Sequence, residues 1–192
     1  MSETLPWWQN GVIYQIYPKS FQDSTGTGTG DLNGIISRLD YLEKLGVSAL
    51  WLTPVYPSPQ IDNGYDVADY CAINPDYGTM ADFERLVEQA HQRGMRIVMD
   101  MVFNHTSTQH PWFVAAQDPA NEKHHFYIWR DGKADALPNN WRSKFGGDAW
   151  QWSESADQYY LHLFAPEQAD LNWEHPPVRE ALKSVCHFWA DK

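Results

Sequence analysis

Three short apolar runs constrain this chain most: Val12 to Tyr17, Ala49 to Leu52, and Arg96 to Met101. Each is too short for a buried helix and reads as a strand. Between the first two, Leu32, Ile35, Ile36, Leu39, Leu42 and Leu45 recur at helical spacing. Asp31 stands where a cap belongs, and Gly46 where the helix must end. Between the second and third, Thr79 caps a helix running to about Arg93, with Phe83, Leu86, Val87 and Ala90 on one face and Gly94 closing it. Strand, helix, strand, helix, strand with tight turns predicts an α/β fold whose parallel sheet has right-handed crossovers. An open doubly wound sheet would set a helix directly after each strand. Here a long polar loop follows each strand instead, and the third is followed by residues 105–173, rich in Trp, Tyr, Gly and Asn with little helical period. That segment reads as an irregular, β-containing insertion. A last helix begins near Pro176-Pro177 and continues through Val178, Leu182, Val185 and Trp189.

The net charge of −11 argues against nucleic acid or an anionic membrane surface as partner. It also means that recognition of an anionic ligand must be local. No apolar run reaches membrane-spanning length, and the amino terminus does not read as a signal peptide, so a cytoplasmic protein is expected. Cys71 and Cys186 lie far apart without metal-ligand spacing, which predicts two reduced thiols.

Four runs then stand in order: Val12-Ile-Tyr-Gln-Ile-Tyr-Pro18, Asn63-Gly-Tyr-Asp66, Asp100-Met-Val-Phe-Asn-His105, and Gln168-Ala-Asp-Leu-Asn172. Together they resemble signature motifs of the α-amylase superfamily, glycoside hydrolase family 13. The resemblance implies a (β/α)₈ TIM barrel with a small domain B inserted after the third strand. On that reading residues 1–104 are the first three βα units, 105–173 domain B, and 174–192 the barrel helix after strand three. A complete barrel needs about 250 residues, so the chain is expected to be the amino-terminal part of one.

The resemblance also implies roles. His105 would hydrogen-bond a hydroxyl of the sugar being cleaved, and Asp62 the far hydroxyls of the same ring. Tyr65 would offer its ring face, and Phe164 would wall the pocket or serve the core. Asp100 would orient neighbouring groups, and Asn104 would support a loop. In relatives the loop equivalent to Asp23 through Asp31 surrounds a Ca²⁺ ion. Here Thr25 and Thr27 replace Asn and Asp, so Asp23, Thr27, Thr29 and Asp31 make a weaker oxygen set that would hold a structural Ca²⁺ weakly or not at all. No other cofactor is expected.

Ala169 stands where the exo-acting oligo-1,6-glucosidase branch has Pro. With Ser143-Lys-Phe-Gly-Gly147 and Phe164-Ala-Pro-Glu-Gln168, it looks most like members that hydrolyse trehalose 6-phosphate. Lys144, with Arg142 behind it, is then either a phosphate contact or a pair of solvated charges. The implied reaction is retaining cleavage of the α-glucosidic bond to glucose and glucose 6-phosphate. It uses an Asp nucleophile after strand four and a Glu acid/base after strand five. Both fall past Lys192, so the 192-residue chain by itself is expected to be inactive, and its three strands to leave an open, aggregation-prone edge. The alternatives are an oligo-1,6-glucosidase or general α-glucosidase, and a non-catalytic partner or sugar-binding remnant.

Overall fold

The computed structural model describes residues 5–132 and 136–192. By packing, the chain forms two compact units: residues 1–55, 72–101 and 192, and residues 56–71 and 102–191. The division differs from the linear one read from sequence, because the loop 56–71 and the last helix pack with the insertion.

In the first unit, two one-turn helices, α1 (Trp7–Asn10) and α2 (Pro18–Phe21), flank β1 (Ile13–Ile16). Strands β1, β2 (Ala49–Leu52) and β3 (Arg96–Met99) form a parallel sheet in that order, with Ile13 opposite Ala49 and Ala49 opposite Arg96. The helix expected from Leu32 to Leu45 is broken into α3 (Leu32–Ser37) and α4 (Leu39–Leu45). At Arg38 the backbone leaves helical angles (φ −109°, ψ 4°) and its N–H bonds the carbonyls of Ile35 and Ile36. The Arg38 guanidinium is meanwhile held by the Gln22 side-chain oxygen at 2.6 and 2.8 Å. Hydrophobic spacing is blind to such a break, since both halves keep the same buried face.

Asp31 caps α3 as expected, accepting the Gly34 N–H at 2.7 Å. Gly34 is required there: a Cβ would fall 1.8 Å from the Gln22 carbonyl oxygen. Thr79 and Asp82 form a reciprocal capping box at the start of α5 (Met80–Gln92), which buries Phe83, Leu86 and Ala90.

In the second unit, β4 (His105–Ser107) pairs antiparallel with β8 (Gln168–Asp170). A second sheet has the order β5 (Trp129–Arg130), β7 (Gln158–Leu161), β6 (Trp150–Ser153). Besides its strands, the irregular insertion carries short helical pieces. It holds α6 (Pro111–Ala116) and a 3₁₀ helix, Glu122–Phe126. Both are too short to show a hydrophobic period, and both are set by local caps from His110 and Asn121. The last helix, α7 (Pro176–Ala190), buries Val178, Leu182, Val185 and Trp189. Trp189 donates its indole N–H to the Tyr70 carbonyl at 2.7 Å, and its ring meets Tyr56 edge-on at 5.6 Å. Those contacts tie α7 to the 56–71 loop.

Candidate functional site

Asp66 builds the first wall of the site. Its fully buried carboxylate accepts the Ser58 hydroxyl and the N–H groups of Ile61 and Asp62, at 2.9 to 3.0 Å. Asn63 and Gly64 then turn the chain with positive φ (52° and 99°), and the Tyr65 N–H bonds the Asp62 carbonyl. The result is a tight loop presenting Asp62 and Tyr65.

The second wall is β4 against β8. Tyr70 supports it from behind: its buried hydroxyl lies 2.8 Å from the carbonyls of both Val102 and His105. Burial keeps that phenol protonated by raising its pKa well above the ordinary value. His105 is 4% exposed. Its Nε2 lies 3.0 Å from the Tyr65 carbonyl and 3.1 Å from the Gln168 amide nitrogen, and its Nδ1 lies 3.1 Å from the Asn104 amide nitrogen. Gln168 in turn donates to Asp62 Oδ2 at 3.0 Å and accepts the Ala165 N–H at 2.9 Å. Burial pulls the His105 pKa below its usual value, while the Tyr65 carbonyl, Asp62 and Asp66 oppose the shift. The imidazole is therefore neutral at neutral pH, a hydrogen-bonding group rather than a cation.

Phe164 closes the third side, its ring 5.2 Å from the His105 ring. Phe145, 60% exposed, meets Phe164 edge-on at 5.6 Å and extends the aromatic surface outward. The Lys144 N–H bonds the Leu163 carbonyl at 2.8 Å, which puts Lys144 beside the same turn. The Lys144 side chain is exposed and forms no ion pair among the described residues. Arg142 instead pairs with Asp148 at 2.8 Å.

A carboxylate, an amide, a neutral imidazole and an aromatic ring set side by side are groups suited to a sugar ring, whose rim is polar and whose faces are apolar. Sequence motifs singled out Asp62, Tyr65, Asn104, His105 and Phe164, and one unit brings all five together. They gave no role to Gln168, Asp170 or Phe145, although each sits inside a quoted motif. Asp100 lies in the other unit, where it accepts the Trp51 indole N–H at 3.2 Å. A cavity of about 710 Å³ in the second unit, lined by Tyr127, Trp129, Trp141, Trp150 and Trp173, includes none of these residues.

The 23–31 loop is folded around its own carboxylates. Asp23 accepts the N–H groups of Thr25, Gly26 and Gly28 at 2.7 to 2.8 Å, and Asp31 accepts those of Ser24 and Gly34 at 2.7 to 2.8 Å. The Gly28 and Thr25 N–H groups lower the Asp23 pKa; burial raises that of Asp31, but its hydrogen bonds outweigh burial and lower it overall. A cation needs several oxygens with lone pairs aimed at one centre. Here those lone pairs face N–H groups, Thr27 Oγ1 is turned to Thr25 Oγ1 at 3.1 Å and to the Thr29 N–H, and no third carboxylate joins them among the described residues. These bonds leave the set few lone pairs for a cation.

No helix among the described residues is long and apolar enough to cross a membrane. The family model "Alpha amylase, catalytic domain" matches residues 15–192. Trehalose-6-phosphate hydrolase of Escherichia coli K12 is 69% identical over 97% of this chain and 34% of its own length. That of Bacillus subtilis is 56% identical over 100% of this chain and 34% of its own. Among solved structures, trehalose-6-phosphate hydrolase of Bacillus licheniformis superposes with a TM-score of 0.94 at 54% identity, covering 97% of this chain and 34% of that one. Isomaltulose synthase of Erwinia rhapontici, in complex with D-glucose, gives 0.95 at 51% identity, covering 98% and 34%. The chain thus spans about a third of the length of the relatives it matches. It belongs to the α-amylase family, and its three parallel strands are the amino-terminal part of that family's TIM-barrel catalytic domain.

Proposed function

We propose that the full-length protein carrying this chain hydrolyses the α-glucosidic bond of trehalose 6-phosphate with retention, giving glucose and glucose 6-phosphate. The observation that carries this reading is the 69% identity to a trehalose-6-phosphate hydrolase, against 50% to 54% for the oligo-1,6-glucosidases of similar coverage. This chain's share is one wall of the sugar pocket. Asp62 and His105 address the hydroxyls of the terminal glucose, Tyr65 and Phe164 its apolar faces, and Lys144 the phosphate beyond. The reacting carboxylates belong to later strands of the barrel. A substrate charged by phosphate does not cross membranes unaided, which supports a cytoplasmic location.

Incubation of the full-length protein with trehalose 6-phosphate, isomaltose and an aryl α-glucoside tests the proposal. Release of equimolar glucose and glucose 6-phosphate, at a kcat/KM well above that for isomaltose, is expected. The reverse preference would favour an oligo-1,6-glucosidase, the reading supported by 53% identity to a probable oligo-1,6-glucosidase of Bacillus subtilis.

A further inference from the structure

Asp170 is a buried carboxylate with no role in the reading above. It is 4% exposed and lies opposite His105 in the β4–β8 pairing. Its Oδ1 accepts the Leu163 N–H at 2.9 Å, and the Asn104 side chain also hydrogen-bonds to it. Leu163 precedes Phe164, the aromatic wall, and the Asn104 amide nitrogen lies 3.1 Å from His105 Nδ1. One carboxylate therefore stands behind both the imidazole and the ring that flanks it.

We propose that Asp170 is a positioning residue: by fixing the amide of Asn104 it selects which ring nitrogen of His105 carries the proton, and by holding the Leu163 N–H it sets the Phe164 turn. The reasoning is one of donors and acceptors. An ionised carboxylate only accepts, so Asn104 must turn its NH₂ toward Asp170. One hydrogen goes to Asp170 and the other to His105 Nδ1. Nδ1 is then an acceptor, and Nε2–H donates to the Tyr65 carbonyl at 3.0 Å. Asn104 is exposed on its outer side, so packing does not fix its amide and its two partners do.

If Asp170 takes a proton from solvent, its hydroxyl becomes a donor. The Asn104 amide then turns over and its oxygen accepts from both Asp170 O–H and His105 Nδ1–H. Nε2 is left with a lone pair, which gives up its bond to the Tyr65 carbonyl, 3.0 Å away, and accepts instead from the Gln168 NH₂ at 3.1 Å. The proton count is one taken up by Asp170 and one moved between the two nitrogens of His105. The Asp62–His105–Gln168 rim thereby exchanges a donor for an acceptor. Burial raises the Asp170 pKa to about 6, against the lowering effect of its Leu163 and Asn104 bonds, so the exchange falls in an accessible range. Of the other titratable groups packed around it, Tyr127 and Tyr160 are kept protonated by burial. Asp62 and Asp66 act electrostatically on His105, and a variant at Asp170 separates its contribution from theirs.

The inference rests on the sugar-pocket reading only for its kinetic consequence; the tautomer can be read without substrate. In full-length protein labelled with ¹⁵N-histidine, His105, assigned through loss of its signals in His105→Gln, should be Nε2–H at pH 7.5. It should move toward Nδ1–H with a midpoint near pH 6. In Asp170→Asn that pH response should vanish, and kcat/KM for an aryl α-glucoside should fall about tenfold, mostly through KM, the effect of one lost hydrogen bond. Nδ1–H at pH 7.5, or an unchanged pH response in Asp170→Asn, overturns the proposal. If Asp170→Asn does not fold, the wild-type titration alone still decides. If the wild type binds and cleaves no α-glucoside while the tautomer behaves as stated, the functional reading fails and the positioning role stands.

Discussion

Two buried groups of the second unit titrate in opposite senses, and their cancellation can be undone one residue at a time. His110 is 5% exposed, and burial depresses its pKa from 6.5 to about 4, with Asp69 opposing. The unfolded chain binds that proton near pH 6.5 and the folded one only near 4. Its contribution is therefore present above pH 6.5 and lost on acidification, by about 3 kcal/mol at ~1.4 kcal/mol per unit. Asp170 does the reverse. Its pKa is raised from 3.8 to about 6, so the folded state binds the proton first. Stability falls as pH rises from about 3.8 to about 6, again by about 3 kcal/mol. In the wild type the two slopes nearly offset between pH 4 and 6, and His105, whose pKa is also depressed, adds a decline on acidification.

Asp170→Asn removes one slope. The free energy of local opening, read from hydrogen exchange of the β4 and β8 amides after correction for intrinsic rates, should then drop by about 3 kcal/mol from pH 6.5 to 4 relative to wild type. His110→Asn keeps an acceptor for the Trp112 N–H, which His110 Nδ1 now receives at 3.0 Å, and should gain a similar amount over the same interval. Parallel pH profiles for the two variants, or a flat Asp170→Asn profile, would refute the assignment of these shifts to burial.

Tyr70→Phe deprives two carbonyls, those of Val102 and His105, of their buried donor. It should weaken the same amides by about 1 to 3 kcal/mol and raise KM for a glucoside. Gln60 sits at φ 63°, with both side-chain amide atoms buried and unpartnered among the described residues. Gln60→Gly relieves a left-handed conformation worth about 1–2 kcal/mol and should stabilise the 58–66 loop by about 1 kcal/mol after the added chain entropy, seen as slower exchange of the Ile61 and Asp62 amides. Lys144→Ala should raise KM for trehalose 6-phosphate about tenfold, the scale of a charge-assisted hydrogen bond, and leave an aryl glucoside unaffected; equal changes would remove Lys144 from the phosphate site. Chelator and added Ca²⁺ should both leave the melting temperature unchanged, because the Asp23 and Asp31 carboxylates already take N–H donors.

The legible parts of the fold are those where a local rule decides. Asp31, Thr79, Gly46 and Gly94 mark helix ends through caps and left-handed turns, and each sits where its chemistry placed it. The break at Arg38 and the helix α6 are not legible, because the first leaves the same hydrophobic face buried on both sides and the second is shorter than a hydrophobic period. Site residues divide the same way. In the candidate site, motifs single out His105 and Asp62, while Gln168 and Asp170 acquire meaning only from the residues that the β4–β8 pairing brings to them.

That opposition is a matter of register. His105 faces Asp170, Thr106 faces Ala169 and Ser107 faces Gln168. A slip of one residue would turn every side chain of a strand to its other face. It would move Asp170 from Asn104, Gln168 from Asp62, and the buried Thr106 hydroxyl from Tyr127 Oη, 2.8 Å away. Three residue pairs are too few to hold register by ladder bonds alone. Two further bonds hold it: Leu171 N–H to the Asn104 carbonyl at 2.9 Å, and Thr108 N–H to the Glu167 carbonyl at 2.9 Å, one beyond each end of the ladder. Leu171→Pro deletes the first of these donors, keeps every site side chain, and adds only a restriction on the already extended backbone of Asp170. If register is what assembles the pocket, that change should abolish glucoside binding while the amides of the β5–β7–β6 sheet stay protected. Loss of protection in both sheets together would show instead that the substitution unfolds the whole unit.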